Sequence, residues 1–414
     1  MLVDAYIIGS GMIKFGKYPD KTVRTMAIEA IQFALDDAGL DKKDIEYAFF
    51  SNTFWGMFSN QHSIKGEVVF RSFGIGDIPV VNVENACAGA STALHMAYLT
   101  VLSGACDVAI AVGSEKITSE DKMKSLSVYA SCMDMENFKT HMKEVLMLQQ
   151  TFKNLVIPHE AQNLNKGRSV FMDVYAVGAR WHMDRYGSTQ KQLAVIAAKN
   201  HWHSSMNPLA QYQIPMTPEM VLNDEVVVWP LTRSMCAPVG DGAAAAIVVS
   251  ERFLKKHGKQ RAIRICASVL GQGRDRNIDD EDLGKRLGKK AYEKAGISPE
   301  DIDVAELHDA TAYGELHQSE NLGFCKEGEG GIIAERGETK LGGRIPINTS
   351  GGLESRGHPI GASGLAQIHE IVLQLRGEAG KRQVENAKIG LAQNGGGNIG
   401  LEEAVMGITI LEKA

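Results

Sequence analysis

Apolar positions along this chain alternate between two periods. Ala5-Tyr6-Ile7-Ile8 is a short continuous apolar run and predicts a strand, whereas Thr22 to Ala38 repeats its apolar residues every three to four positions and predicts an amphipathic helix closed by Gly39. Tyr47 to Phe50, Val80 to Val83 and Asp107 to Val112 predict further strands, and S-T-A-L-H-M-A-Y-L-T-V-L from Ser91 predicts a helix. A helical pattern continues from Val170 to His201, and Asp241 to Ser250 predicts a buried closing strand. Strands alternating with helices imply an α/β sheet carrying helices.

The pattern then repeats. A-L-D-D-A-G-L-D-K-K-D-I from Ala34 is answered by A-Y-E-K-A-G-I-S-P-E-D-I from Ala291, each a helix end, a glycine stop, a capping turn and a strand. Gly89-Ala90-Ser91 opens a helix after a strand, and Gly361-Ala362-Ser363 does the same. The expected organisation is two duplicated halves, residues 1–114 with 234–250 and residues 251–414, around an inserted loop domain of residues 115–233. A long structured excursion above a sheet is a natural place to grip a large substrate.

Composition narrows the function. The 414 residues, 44% of them hydrophobic, suffice for a large core, and 44 basic against 50 acidic residues leave a charge of −6. No basic stripe appears, which argues against nucleic acid. The six cysteines form no C-x-x-C pair, so neither a disulfide framework nor a zinc site is expected, and a reducing cytoplasm fits. The first residues lack a signal-peptide pattern, and no apolar run reaches the about 20 residues of a membrane helix.

Cys87 lies in V-E-N-A-C-A-G-A-S-T-A, between a strand and a helix. A helix N-terminus is expected to lower the thiol pKa, and small neighbours leave room for a substrate and for N–H groups aimed at an oxyanion. A buried structural cysteine is the alternative that this stretch alone leaves open. His308, in E-L-H-D-A, is placed at the C-terminal end of a strand, the edge where open α/β sheets bind ligands. S-G-G-L-E-S-R-G-H-P-I-G-A-S-G, from Ser350 to Gly364, carries His358 into a helix, and A-Q-N-G-G-G-N-I-G from Ala392 is a second glycine run. One thiol, two imidazoles and glycine loops make a nucleophilic site.

These motifs resemble the thiolases, and most of all the sterol-carrier-protein-type branch, over essentially the whole chain. N-A-C-A-G-A-S resembles the nucleophile motif, H-D-A-T the branch's H-D-C-F box, and S-R-G-H-P-I-G-A-S-G the G-H-P box. The segments C-A-P-V-G-D-G-A-A-A from Cys236 and Y-G-S-T-Q-K-Q-L-A-V-I-A-A-K-N-H from Tyr186 are also similar to family segments. The resemblance implies a five-layered α-β-α-β-α core, an inserted loop domain and a homodimer. It implies cleavage of a 3-oxoacyl-CoA by coenzyme A, a substrate rather than a bound cofactor. Cys87 would carry the acyl group, His358 would take the thiol proton, and His308 and His358 would hold a thioester oxygen. The N–H groups of Cys87 and Gly395 would form a second oxyanion hole.

The resemblance fails at one function. Thiolases use a second cysteine as acid and base, yet of the two places that carry it one reads Gln393-Asn394-Gly395 and the other is Ala310 here, and neither holds a thiol. Cys236, Cys325, Tyr313 and water are the remaining substitutes. Three outcomes follow: a thiolase with another proton source, a retro-aldolase that leaves Cys87 unacylated, or a non-catalytic acyl-CoA or lipid scaffold. The H-D-A-T variation resembles a group that works with a small OB-fold zinc-ribbon protein, so any zinc would be the partner's. Within that group the chain is similar to thiolases acting on 2-benzoylsuccinyl-CoA, and Met133, Met135, Met142 and Met147 are expected to pack as helix core or to line an aromatic acyl pocket.

Weaker signals complete the picture. Arg233 and Asn394 are expected substrate contacts, the former to a CoA phosphate. Glu315 and Glu354 flank the boxes and read as surface carboxylates, or else as groups that tune the imidazoles; His95 reads as a packed histidine, and His201-Trp202-His203 as aromatic surface or core. Ile8-Gly9-Ser10-Gly11 begins like a dinucleotide fingerprint but has Lys14 where the third glycine belongs.

Overall fold

The computed structural model describes residues 4–158, 168–258 and 261–414. Among them, nine strands form one sheet: β1 Ala5–Met12, β2 Tyr47–Ser51, β3 Val80–Val83, β4 Val108–Glu115, β5 Gly242–Ser250, β6 Ile263–Gln272, β7 Val304–Glu306, β8 Ile389–Gly396 and β9 Val405–Lys413. Their order is β3-β2-β4-β5-β1-β6-β9-β8-β7. From the β1–β6 seam outward, each half repeats two antiparallel pairings followed by parallel ones. Ile347 bridges Ala305 in parallel where the second half would place its fifth strand. The expected duplication is thus written in the strand order. The seam is narrow, with Tyr6 opposite Arg264 and Ile7 opposite Ile263.

Seven helices matter for the site: α1 Val23–Ala38, α2 Gly89–Leu102, α3 Val170–Tyr186, α4 Gln190–Ser204, α5 Leu283–Ala295, α6 Ala312–Asn321 and α7 Ser363–Arg376. The helices α1 and α5 cover the outer faces of the two half-sheets, while α2 and α7 pack on each other between them. This gives the expected five layers. Strand alternation distributes the side chains. In β4, Ala109 and Ala111 join the inner core with Ala90 and Leu94, whereas Val108, Ile110 and Val112 join Met26 and Ala30 of α1. A helix between two sheets is buried on several faces, and α2 accordingly presents Ala90, Ala93 and Ala97 to its neighbours.

The single helical pattern expected from Val170 to His201 is two helices. Gly187 takes φ 74° and ends α3, and Thr189 caps α4 with a reciprocal bond to Gln192. The break lets α4 deliver Lys199, Asn200, His201 and His203 into the second half, where all four are buried. No helix among the described residues is long and apolar enough to cross a membrane.

Candidate active site

Three loops meet at the ends of the two inner helices. Cys87 sits in the tight turn Ala86–Ala88 that leads into α2, His308 follows β7, and His358 precedes α7. The thiol sulfur and one nitrogen from each imidazole lie within 4.8 Å of one another. The two rings stand edge to face at 81°, with centroids 5.2 Å apart.

Hydrogen bonds behind the rings assign different tautomers. The Ser363 hydroxyl donates to the Pro359 carbonyl at 3.0 Å, so it accepts from His358 Nδ1–H at 2.6 Å. His358 therefore keeps Nε2 as a bare acceptor. Ser91 donates to Asn394 Oδ1 at 2.9 Å, which turns the Asn394 NH2 group onto His308 Nδ1, also at 2.9 Å. His308 therefore carries its proton on Nε2 and is a donor. One imidazole presents an acceptor to the pocket and the other a donor.

All three groups rest uncharged. Burial pushes the Cys87 thiol up to about 12, against the opposing pull of the Gly397 N–H on the sulfur. The expected lowering of this thiol by the helix terminus is overturned, because removal from water outweighs the few N–H dipoles of one turn. Burial also lowers His308 to about 3, and lowers His358 well below the usual histidine range with help from His308 and Arg356. A thiol protonated at rest needs a neighbouring acceptor before its sulfur can act as a nucleophile, and His358 Nε2 is a bare acceptor beside it.

Two buried carboxylates tie the histidine loops together. Glu306 accepts from Ser350 N–H at 3.0 Å, from Ser350 Oγ at 2.6 Å and from Arg356 Nη1 at 3.1 Å. Asp309 accepts from the Leu353 N–H at 2.7 Å and from Asn200 Nδ2 at 3.1 Å. Gly352 takes φ 60°, and a Cβ there would fall 2.0 Å from Asp309 Oδ2, so only glycine fits. On the other side, a Cβ on Gly396 would fall 2.4 Å from Asn85 O and 2.6 Å from Ala88 N, so β8 can lie directly on the nucleophile turn.

The trio opens into a cavity of about 1010 Å³ lined also by Tyr129, Phe171, Tyr175 and Gly395. A second cavity of about 340 Å³ shares Phe171, Tyr175, His308, Gly397 and Glu403 with the first. Several sequence expectations change here. Glu315 and Glu354 are buried, not surface groups: Asn200 Nδ2 donates to them at 3.0 and 3.1 Å, and Lys199 pairs with Glu315 at 2.8 Å. Burial and the neighbouring acids hold Asp309 and Glu354 well above the usual carboxylate range. Asn394 does not line either cavity, because both ends of its amide are committed to Ser91 and His308. Arg233 stands at the cavity wall, paired with Asp224 at 2.7 Å and Glu225 at 3.2 Å.

The four singled-out methionines line neither cavity, and Met135 and Met147 are exposed; Met172, Met216 and Met220 line the larger one instead. Cys236 lines the larger cavity and Cys325 a separate surface hollow, while Tyr313 lines the smaller cavity. Sequence reasoning missed two groups. Cys132 packs with Cys87 and Tyr129, and Glu403 lines both cavities. Neither sits in a motif; for Glu403, its place three residues beyond the glycine run was the available signal. The sequence also shows no metal-ligand cluster, yet the fold assembles one thiol and two imidazoles at a spacing that could hold a metal ion.

A half-buried cysteine thus stands beside one acceptor and one donor imidazole on a duplicated α/β sheet, a set of groups able to support nucleophilic chemistry at a thioester. Residues 5–228 match the family "Thiolase, N-terminal domain" and residues 280–408 "Thiolase C-terminal domain-like". The chain is 37% identical over 402 residues to the acetyl-CoA acetyltransferase of Methanothermobacter thermautotrophicus, covering 96% of this chain and 97% of that one. It is 36% identical to sterol carrier protein 2 of Bos taurus (97% and 71% covered) and 34% identical to the benzoylsuccinyl-CoA thiolase subunit BbsB of Thauera aromatica (92% and 91%). Among solved structures, "Ltp2-ChsH2(DUF35) aldolase" superposes with a TM-score of 0.78 at 24% identity, over 99% of this chain and 98% of that chain. Human mitochondrial 3-ketoacyl-CoA thiolase in complex with CoA gives 0.70 at 16%, over 100% and 98%. The chain belongs to the thiolase family and is an acyltransferase.

Proposed function

We infer that the protein cleaves a 3-oxoacyl-CoA with coenzyme A, passing the acyl group through a thioester on Cys87. The observation that carries this is the pairing of one acceptor and one donor imidazole around the half-buried Cys87 thiol. His358 Nε2 takes the thiol proton as the sulfur attacks the 3-oxo carbon. The N–H groups of Cys87 and of the Gly395–Gly397 turn stabilise the oxyanion that forms there. The carbon–carbon bond then breaks, and His308 Nε2–H holds the thioester oxygen of the enolate. The enolate carbon takes up a proton, the thiol of coenzyme A gives one up as its sulfur attacks acyl-Cys87, and the cysteine recovers its own proton from His358. Each donor acts on charge that exists only along the reaction path, where it is most effective.

The substrate is an aryl acyl-CoA such as 2-benzoylsuccinyl-CoA, which gives benzoyl-CoA and succinyl-CoA. Support comes from the BbsB relative and from Tyr129, Phe171 and Tyr175 around the thiol. Arg233, Lys17 and Arg168 at the cavity wall supply cations for the phosphates of coenzyme A. The exposed edge at β3 is the surface for a homodimer. The two-part name of the aldolase and the word subunit in the name of BbsB support a small OB-fold zinc-ribbon partner.

Intact-protein mass spectrometry after incubation with acetyl-, succinyl- or benzoyl-CoA tests the reaction. One acyl mass on the wild type, absent from Cys87→Ala, is expected. The second reading, a retro-aldolase, is favoured by the missing thiols at Gln393 and Ala310 and by the aldolase likeness. No adduct, together with cleavage of a 3-hydroxyacyl-CoA, would select it.

A further inference from the structure

We propose that Glu403 is the acid and base at carbon, in place of the second thiol that Gln393 and Ala310 do not supply. The assignment rests on the thiolase reading above. Glu403 lines both cavities, as His308 does, so it stands where the acyl part of a substrate would pass from one to the other. Its Oε1 lies 3.7 Å from the point where a Cβ on Gly395 would be. That places a carboxyl beside Gly395, whose neighbour Gly396 packs on the nucleophile turn. The other carboxyls of the larger cavity are occupied elsewhere. Asp224 and Glu225 hold Arg233, and Glu354 belongs to the Asp309–Glu315–Asn200 cluster.

The loop carrying Glu403 is pinned from behind. Glu402 binds Arg276 at 3.0 Å, Arg286 at 2.9 Å and the Arg274 N–H at 2.6 Å. Glu403 itself accepts from Gln318 Nε2 at 3.3 Å. The groups that bear on its charge are Asp282, which opposes ionisation, and His317 and Arg276, which favour it; burial outweighs them and raises it to about 7. Tyr175 and Tyr313 also face it and remain neutral. A carboxyl poised near neutrality can give a proton and take one back within a turnover. Cys132, the thiol nearest in kind, is pushed far above that range by burial and by Cys87.

The steps balance. Protonated Glu403 gives its proton to the enolate carbon after the carbon–carbon bond breaks, and the shortened acyl-CoA leaves. The resulting carboxylate takes the thiol proton of the incoming coenzyme A, whose sulfur attacks acyl-Cys87. His358 returns its proton to the cysteine sulfur.

The test is hydrogen–deuterium exchange at the carbon α to the thioester of acetyl-CoA and succinyl-CoA in D2O, followed by mass spectrometry. It compares wild type, Glu403→Gln, Glu403→Asp and Cys132→Ser. The acetyl thioester of 4-nitrothiophenol serves as control, because its thiolate leaves without a proton. Glu403→Gln is expected to lose about 100-fold or more in exchange, while nitrothiophenolate release and the Cys87 adduct persist; Glu403→Asp regains part of the exchange. Exchange retained in Glu403→Gln, or lost only in Cys132→Ser, overturns the assignment of Glu403 alone. Loss of the nitrothiophenolate burst along with exchange in Glu403→Gln overturns it too, since the carboxyl would then be needed for folding. A wild type that forms neither the Cys87 adduct nor exchanged product overturns the thiolase reading and this proposal together.

Discussion

The Asn394 amide reaches His308 Nδ1 at 2.9 Å and fixes which nitrogen of that ring carries the proton. An amide in the strand wall thus decides whether His308 presents a donor or an acceptor to the pocket.

Asn394→Asp would replace the NH2 group by an acceptor and move the His308 proton to Nδ1. Loss of one oxyanion donor is worth about 3–4 kcal/mol, so kcat for acyl-CoA cleavage should fall roughly 100- to 1,000-fold. KM should change little. Steady-state kinetics measure both.

The free enzyme should resist alkylation at Cys87. With the thiol held up at about 12, its reaction with iodoacetamide should keep rising tenfold per pH unit through pH 10, where an ordinary cysteine has levelled off. Peptide mass spectrometry of Cys87 against pH checks the slope. A plateau below pH 8 would mean a thiolate in the resting site.

Glu115 is buried and raised to about 7 despite accepting from the Thr53 and Phe54 N–H groups. A carboxyl raised on folding binds its proton more tightly in the native state. Its contribution is therefore full below the unfolded value of 4.5 and is lost as pH climbs through about 7. The loss is on the order of 3 kcal/mol. Urea unfolding at pH 5 and pH 8 should show Glu115→Gln gaining on wild type by this amount as pH rises, whatever its constant offset.

Gly396→Ala should displace the nucleophile turn, because its methyl would meet backbone at Asn85 and Ala88. Activity should fall at least about tenfold, with far-UV circular dichroism unchanged and a lower melting temperature. Tolerance of alanine would mean that β8 and the turn do not touch in solution.

Much of this was legible in the sequence. Cys87, His308 and His358 stand in short motifs whose glycines and small residues mark turns, and turns of that kind follow from local chemistry. The duplicated halves were legible for the same reason, since each repeats a helix end, a stop and a strand. What escaped depends on partners far along the chain. Glu354 looked like a surface acid because Asn200, its donor, lies 154 residues away on α4. Cys132 gains meaning only beside Cys87, and Glu403 only beside Gly395. The sign of the Cys87 shift also escaped: a helix terminus can be read from sequence, but the depth at which it is buried cannot.

The repeated strand order has a further consequence. The helices α2 and α7 begin side by side as pseudo-equivalent copies of one unit. Two separate but identical units meeting in this way would bring like groups together, thiol to thiol or imidazole to imidazole. Covalent fusion into one chain lets the copies diverge, so that sulfur arrives from one and its proton acceptor from the other. The asymmetry of this pocket is available to a single polypeptide, where two identical subunits on a symmetric scaffold would lack it.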